Sequence, residues 1–218
     1  MNLRLLQLVS PSLPVGAYSY SQGLEAAVEA GIVRDAPSAR RWIGDVLAIS
    51  MQGMEAPILL RLVDAWERGD APMAHRWNAE FVASRETAEL RAETLQMAYS
   101  LRSLLRDLGE DTSSLEALED LAYPAAFAFA VARWNIEARE ALAAYLFGWL
   151  ENQMLAALKS VPLGQTDGQR ILMGLASRIP AVVEAAAVAR DDELSNFAPG
   201  LALLSARHET QYSRIFRS

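Results

Sequence analysis

Residues 85–108, Arg85-Glu86-Thr87-Ala88-Glu89-Leu90-Arg91-Ala92-Glu93-Thr94-Leu95-Gln96-Met97-Ala98-Tyr99-Ser100-Leu101-Arg102-Ser103-Leu104-Leu105-Arg106-Asp107-Leu108, carry the reading that decides the fold. Leu90, Thr94, Met97, Leu101, Leu104 and Leu108 recur at three- and four-residue intervals, which puts them on one face of a long helix. Gly109 then supplies a helix stop. The same grammar extends in both directions. Upstream, Ser19-Tyr20-Ser21-Gln22 has capping-box spacing for a helix through Leu24, Ala27 and Val28 that stops at Gly31. Asp35-Ala36-Pro37 opens a second helix, Pro57 sits early in a third that Gly69 ends, and Asp70-Ala71-Pro72 opens a fourth.

Downstream, Glu110 to Glu119 is polar and acidic and reads as an exposed loop or short helix. Pro124 starts a very apolar helix to Arg133, with Asn135 as a left-handed stop. Glu137 to Ser160 is another long helix that ends ahead of Pro162. A last pair covers about Thr166 to Arg190 and is broken or kinked at Pro180. No period-2 run, Asn-Gly hairpin or internal repeat interrupts this series. The expected fold is all-α: a single globular domain of about eight to ten helices over residues 1–204, followed by a C-terminal tail, residues 205–218.

Composition narrows the function. The chain has 218 residues, 52% of them hydrophobic and 22% charged, and a net charge of -7. That is enough chain for a sizeable core, and the acidic balance argues against general nucleic-acid binding. With no cysteine and only His75 and His208, every disulfide, cysteine nucleophile and Cys-based metal site is excluded. The apolar stretch Leu121 to Ala132 is interrupted by Pro124 and too short to span a bilayer. The expectation is a soluble, cytoplasmic protein without membrane or nucleic-acid partners.

Catalytic motifs are missing. Gly164 to Arg170 is glycine-rich and precedes a helix, yet it lacks the Lys-Ser/Thr pair and the strand of a phosphate loop. His208-Glu209 offers two weak candidate metal ligands, but Tyr212 stands where HExxH needs its second histidine. Met51 and Met54 read as core filler. Asp191-Asp192-Glu193 reads as a solvated loop or a cap. The serines at 10, 12, 19 and 21 have no His–Asp pair placed beside them.

Three dense segments remain. The first, Ser10 to Glu25, presents Tyr18 and Tyr20 after a turn fixed by two prolines and Gly16. The second, Lys159 to Gln169, puts the only lysine at a helix end before Pro162-Leu163-Gly164, and includes Gln165 and Gln169. The third is the tail. On a helical wheel Leu201, Leu204, His208, Tyr212 and Ile215 share a stripe, flanked by Arg207 and Arg214. Such a stripe either packs on the protein's own core or orders in a partner's groove.

These segments resemble the UreF family of urease accessory proteins. The matching residues are Leu-Gln-Leu-x-Ser-Pro-x-Leu-Pro-Val-Gly at 6–16, Ser-Tyr-Ser-Gln-Gly-Leu-Glu at 19–25, Pro-Leu-Gly-Gln-Thr at 162–166, and His-Glu-x-Gln-Tyr-Ser-Arg-x-Phe-Arg-Ser at 208–218. Ala17 stands where a second glycine is expected, and Ile215 where leucine is commoner. The resemblance implies a maturation factor, not an enzyme. It implies complexes with UreD (UreH in some species), with the nickel-carrying GTPase UreG and with apo-urease, and a homodimer within the complex. It also implies coupling of GTP hydrolysis to nickel delivery, with nickel handled by the assembled complex and no tightly bound cofactor. Partner contacts are then expected at Leu204, His208, Glu209, Tyr212, Arg214, Ile215, Phe216 and Arg217 for UreD, and at Lys159, Gln165 and Gln169 for UreG, with Tyr18 and Tyr20 alongside. A direct nickel-binding metallochaperone with its own metal site is the alternative.

Overall fold

A computed structural model describes residues 2–218. It is all-α, with no strand among the described residues. In chain order the helices are α1 (Leu3–Leu8), α2 (Leu24–Glu29), α3 (Ala36–Val46), α4 (Ala56–Glu67), α5 (Ala71–Ala83), α6 (Ala88–Asp107), α7 (Ser113–Glu116), α8 (Tyr123–Arg133), α9 (Ala138–Ser160), α10 (Gln165–Ala176), α11 (Ile179–Val188) and α12 (Pro199–His208). A π-helical stretch, Leu47–Glu55, joins α3 to α4. The start and stop residues act as expected. Asp35, Asp70 and Thr87 each cap a helix through their side chains. Gly31, Gly69, Gly109 and Asn135 all adopt positive φ where helices end.

At the centre α4 packs against α8, α5, α9 and α11. From Pro124 to Val131, α8 is buried on every side, and its alanines let α4 approach closely. The Trp66 indole donates to the Ala125 carbonyl at 3.1 Å and meets Phe129 edge-on at 5.5 Å. Two helical runs, Ala36–Glu67 and Gln165–Val188, are long and apolar enough by composition to cross a bilayer. The first of them is the core of the fold.

Leu108, expected on the apolar face of α6, is exposed and Leu105 is buried in its stead. Four further features depart from the sequence expectation. The second and third expected helices are one continuous run, because the π-helical stretch carries the chain into α4 with Pro57 already inside it. No capping box forms at Ser19–Gln22. The Gln22 amide is taken by Glu93 and Trp149, and the Ser21 hydroxyl instead accepts from the Glu25 amide at 3.2 Å. The break in the last pair falls at Ser177–Arg178, so Pro180 lies in the first turn of α11. Finally, α12 ends at His208, and residues 209–218 run back along the body without helix.

A three-segment face at the ends of the chain

The N-terminal turn, the end of α9 and the tail meet at one place. The Lys159 ammonium lies 5.9 Å from the centre of the Tyr18 ring and 5.4 Å from that of Phe216, within cation–π reach of both. The Arg217 amide donates to the Ser19 carbonyl at 2.8 Å. Ser21 donates twice to the Ser218 carbonyl, from its amide at 2.9 Å and its hydroxyl at 2.5 Å. Asn152 on α9 donates to the Tyr20 carbonyl at 3.1 Å. Burial raises the pKa of the Tyr20 phenol, and a hydrogen bond with the Arg217 side chain opposes that rise. Gln165 and Gln169 are exposed on the first turns of α10, just beyond Lys159.

A buried clasp fastens the tail. His208 is fully buried between two carboxylates, with Nδ1 2.6 Å from Glu89 Oε2 and Nε2 3.1 Å from Glu25 Oε2. Glu25 also accepts the amides of Ile215 at 2.7 Å and Phe216 at 2.9 Å. Arg214 reaches the other Glu89 oxygen at 2.8 Å. Glu209 caps α6 by accepting the Ala88 amide at 2.9 Å. The two weak metal candidates are thus employed separately, His208 inside the clasp and Glu209 at a helix N-terminus. Among the described residues no trio of His, Asp and Glu is arranged to hold a metal.

The eight tail positions divide by exposure. Leu204, His208 and Phe216 are buried. Tyr212 is fully exposed, Ile215 is 65% exposed, and the side chains of Glu209, Arg214 and Arg217 border solvent. The helical stripe ends where α12 does. Its lower half belongs to the core, while Tyr212 and Ile215 stand free on an extended strap.

Sequence reasoning missed a second polar cluster, inside the body. Glu55, delivered by the π-helical stretch, accepts the Tyr145 hydroxyl at 2.5 Å and lies 3.4 Å from Arg85 Nη1. Glu93 on α6 accepts Gln22 Nε2 at 2.7 Å and the Ser218 hydroxyl at 2.8 Å. Burial, with a smaller contribution from Glu55, pushes the Glu93 pKa up to about 7, and the Gln22 and Ser218 hydrogen bonds hold it from going higher. Burial likewise raises the phenols of Tyr123 and Tyr145 well above their ordinary value. Gln22 enters this cluster from a left-handed backbone, φ 51, which is unusual for a residue with a side chain. The available signal was Glu93 itself, a charge at helical spacing between Leu90 and Met97.

The sequence profile of the UreF family matches residues 33–176. The chain is 57% identical to the urease accessory protein UreF of Azoarcus sp. (strain BH72), an alignment covering 99% of this chain and 95% of that protein. It is 53% identical to UreF of Methylobacillus flagellatus, covering 99% and 97%. UreF of Dechloromonas aromatica is also 53% identical, covering 99% and 96%. The chain belongs to the UreF family. It is therefore a urease accessory protein by family. The profile spans the helical body from α3 to α10, while the N-terminal turn and the tail lie outside the matched stretch and within the full-length alignments.

Proposed function

We propose that this UreF-family chain is a docking scaffold in urease maturation and catalyses no reaction itself. It binds a UreD (UreH) accessory protein, recruits the GTPase UreG, and couples GTP hydrolysis to nickel delivery into apo-urease. It works as a homodimer within that cytoplasmic complex, and nickel is cargo handled by the assembly. The observation that carries this reading is the convergence of Tyr18, Lys159 and the tail on one face, with Tyr212 and Ile215 exposed beside it. Exposed aromatic and apolar side chains flanked by arginines are the usual carriers of interface energy. The strap holding Tyr212, Arg214 and Ile215 faces the UreD partner, and Lys159 with Gln165 and Gln169 faces UreG.

Light scattering on a sizing column tests this, with the chain alone, with a UreD-family protein, and with UreG and GTP added. A stable complex should form with UreD and should fail with the Tyr212→Ala/Ile215→Ala double variant, whose helicity and melting temperature stay unchanged. Lys159→Ala should leave the UreD complex intact and weaken UreG retention. A double variant that binds UreD at full strength, or a wild-type chain that binds neither protein, would overturn the proposal.

A further inference from the structure

Behind the N-terminal turn lies a cavity of about 120 Å³ that the docking reading leaves unused. It has room for several waters or one small ligand. Exposed Pro11 and Tyr18 line its outer end, and buried Glu55 and Glu93 line its inner end. Between them the walls are apolar, aliphatic in part and aromatic in part. Phe81, Tyr123, Phe127, Tyr145 and Trp149 all contribute, with Tyr123 and Tyr145 stacked at 5.8 Å.

The charges inside do not balance. Arg85, lying 4.2 Å over the Phe81 ring and bonded to Ser84, is the cation nearest Glu55. Glu93 receives its two hydrogen bonds from neutral donors, Gln22 and Ser218. Glu151 also lines the cavity, so an ionised Glu93 leaves three carboxylates there against the one guanidinium of Arg85. A buried carboxylate without a cation is costly, and aromatic faces attract cations through the ring quadrupole.

We infer that this cavity is a binding site for a small organic monocation, an alkylammonium or alkylguanidinium whose charged head meets Glu93 and whose stem lies along the aromatic walls. Two carboxylates at the inner end disfavour an anion. A divalent metal wants several converging oxygen or nitrogen ligands, and among the described residues no three His, Asp or Glu side chains converge to hold one. The cation could reach the cavity as a free amine or as a lysine or arginine side chain of a partner entering past Tyr18. The head-group chemistry is the same in both cases.

Binding is coupled to a proton. Glu93 faces Gln22 and Tyr20 from the turn, Ser218 from the tail, Glu55 from the π-helical stretch and Arg85 from the segment before α6. A cation seated beside it favours the ionised form, so binding near neutral pH expels a proton and tightens as pH rises through about 7.

Isothermal calorimetry on the full chain with butylammonium and butylguanidinium tests the inference. Saturable one-to-one binding is expected, strengthening about tenfold from pH 6 to pH 8, with proton release seen by comparing buffers of different ionisation heat. Glu93→Gln should abolish binding and its pH dependence, with its fold checked by circular dichroism. Nα-acetyl-lysine N-methylamide and its arginine counterpart separate the sources. Binding equal to that of the free amines assigns the site to a partner's side chain, and binding of the free amines alone assigns it to a small molecule. Absence of binding by every probe, pH-independent binding to the wild-type chain, or equal binding to a folded Glu93→Gln would overturn the inference.

Discussion

Glu25 and His208 stand 183 residues apart in the chain and 3.1 Å apart in the fold. Through that carboxylate helix α2 holds the tail, because its two oxygens also accept the amides of Ile215 and Phe216. In Glu25→Ala the imidazole and two amides lose their acceptor, and each buried donor left unpaired costs about 1–3 kcal/mol. The tail should then open locally. Hydrogen exchange at the Ile215 and Phe216 amides should accelerate at least tenfold on the order of that energy, while α4 and α8 amides keep their protection. Unchanged exchange in the tail would show that the clasp is not what holds it.

Glu93 makes the stability of the chain fall with rising pH. Its folded pKa of about 7 lies above the ordinary 4.5, so the native state binds more protons than the unfolded chain between those values. The contribution of this group is fully present below pH 4.5 and is lost as pH rises through about 7. Two to three units correspond to about 3 kcal/mol. Urea denaturation should show wild type weakening from pH 5 to pH 8 by an amount of this order, with Glu93→Gln distinctly flatter. Parallel curves for the two proteins would refute the assignment.

Phe216 and Tyr212 are four residues apart and should behave oppositely. Phe216 is buried against Lys159 and the core, so Phe216→Ala removes the whole ring from a packed site and should cost about 3 kcal/mol. Tyr212 touches only solvent in the isolated chain, and Tyr212→Ala should change stability by less than about 0.5 kcal/mol. Guanidinium midpoints decide the matter. Comparable losses in both variants would mean that Tyr212 packs on the body in solution.

What the sequence made legible was whatever is local. Gly31, Gly69, Gly109, Asn135, Asp35 and Asp70 mark helix ends because capping involves residues within one turn. The join between α3 and α4 stayed hidden, since a π-helical stretch leaves no mark in a 3.6-residue pattern. Gln22 has the right spacing to cap a helix, and only the arrival of Glu93 and Trp149 from distant elements takes its side chain elsewhere. The tail failed as a helical stripe for the same reason. Its backbone amides are claimed by Glu25, and its middle residue His208 by two carboxylates, none of them within reach in the linear chain. The three dense segments were visible as compositional oddities, but their meeting at Lys159 was not. The interior cluster was the least legible part. Leu105 takes the buried position expected of Leu108, and Glu93 turns inward with that face.

Gly53 offers a last test, of the joint between the π-helical stretch and the loop that leads into α12. Its carbonyl accepts the Ser195 amide at 3.0 Å, and a Cβ built on Gly53 would lie 2.6 Å from the Ser195 carbonyl oxygen. No side-chain rotation relieves a clash with backbone, so Gly53→Ala must push the loop away and should cost about 1–3 kcal/mol. Helix propensity alone predicts the opposite sign, because alanine is the better helix former by about 1 kcal/mol. Gly200, in the first turn of α12 with nothing within 4 Å of its would-be Cβ, supplies the control. There Gly200→Ala should stabilise by about 0.5 kcal/mol. Opposite shifts of the two denaturation midpoints would show that the close approach of Ser195, and not backbone propensity, fixes glycine at position 53. Shifts of the same sign would mean the loop yields without cost and the joint is loose.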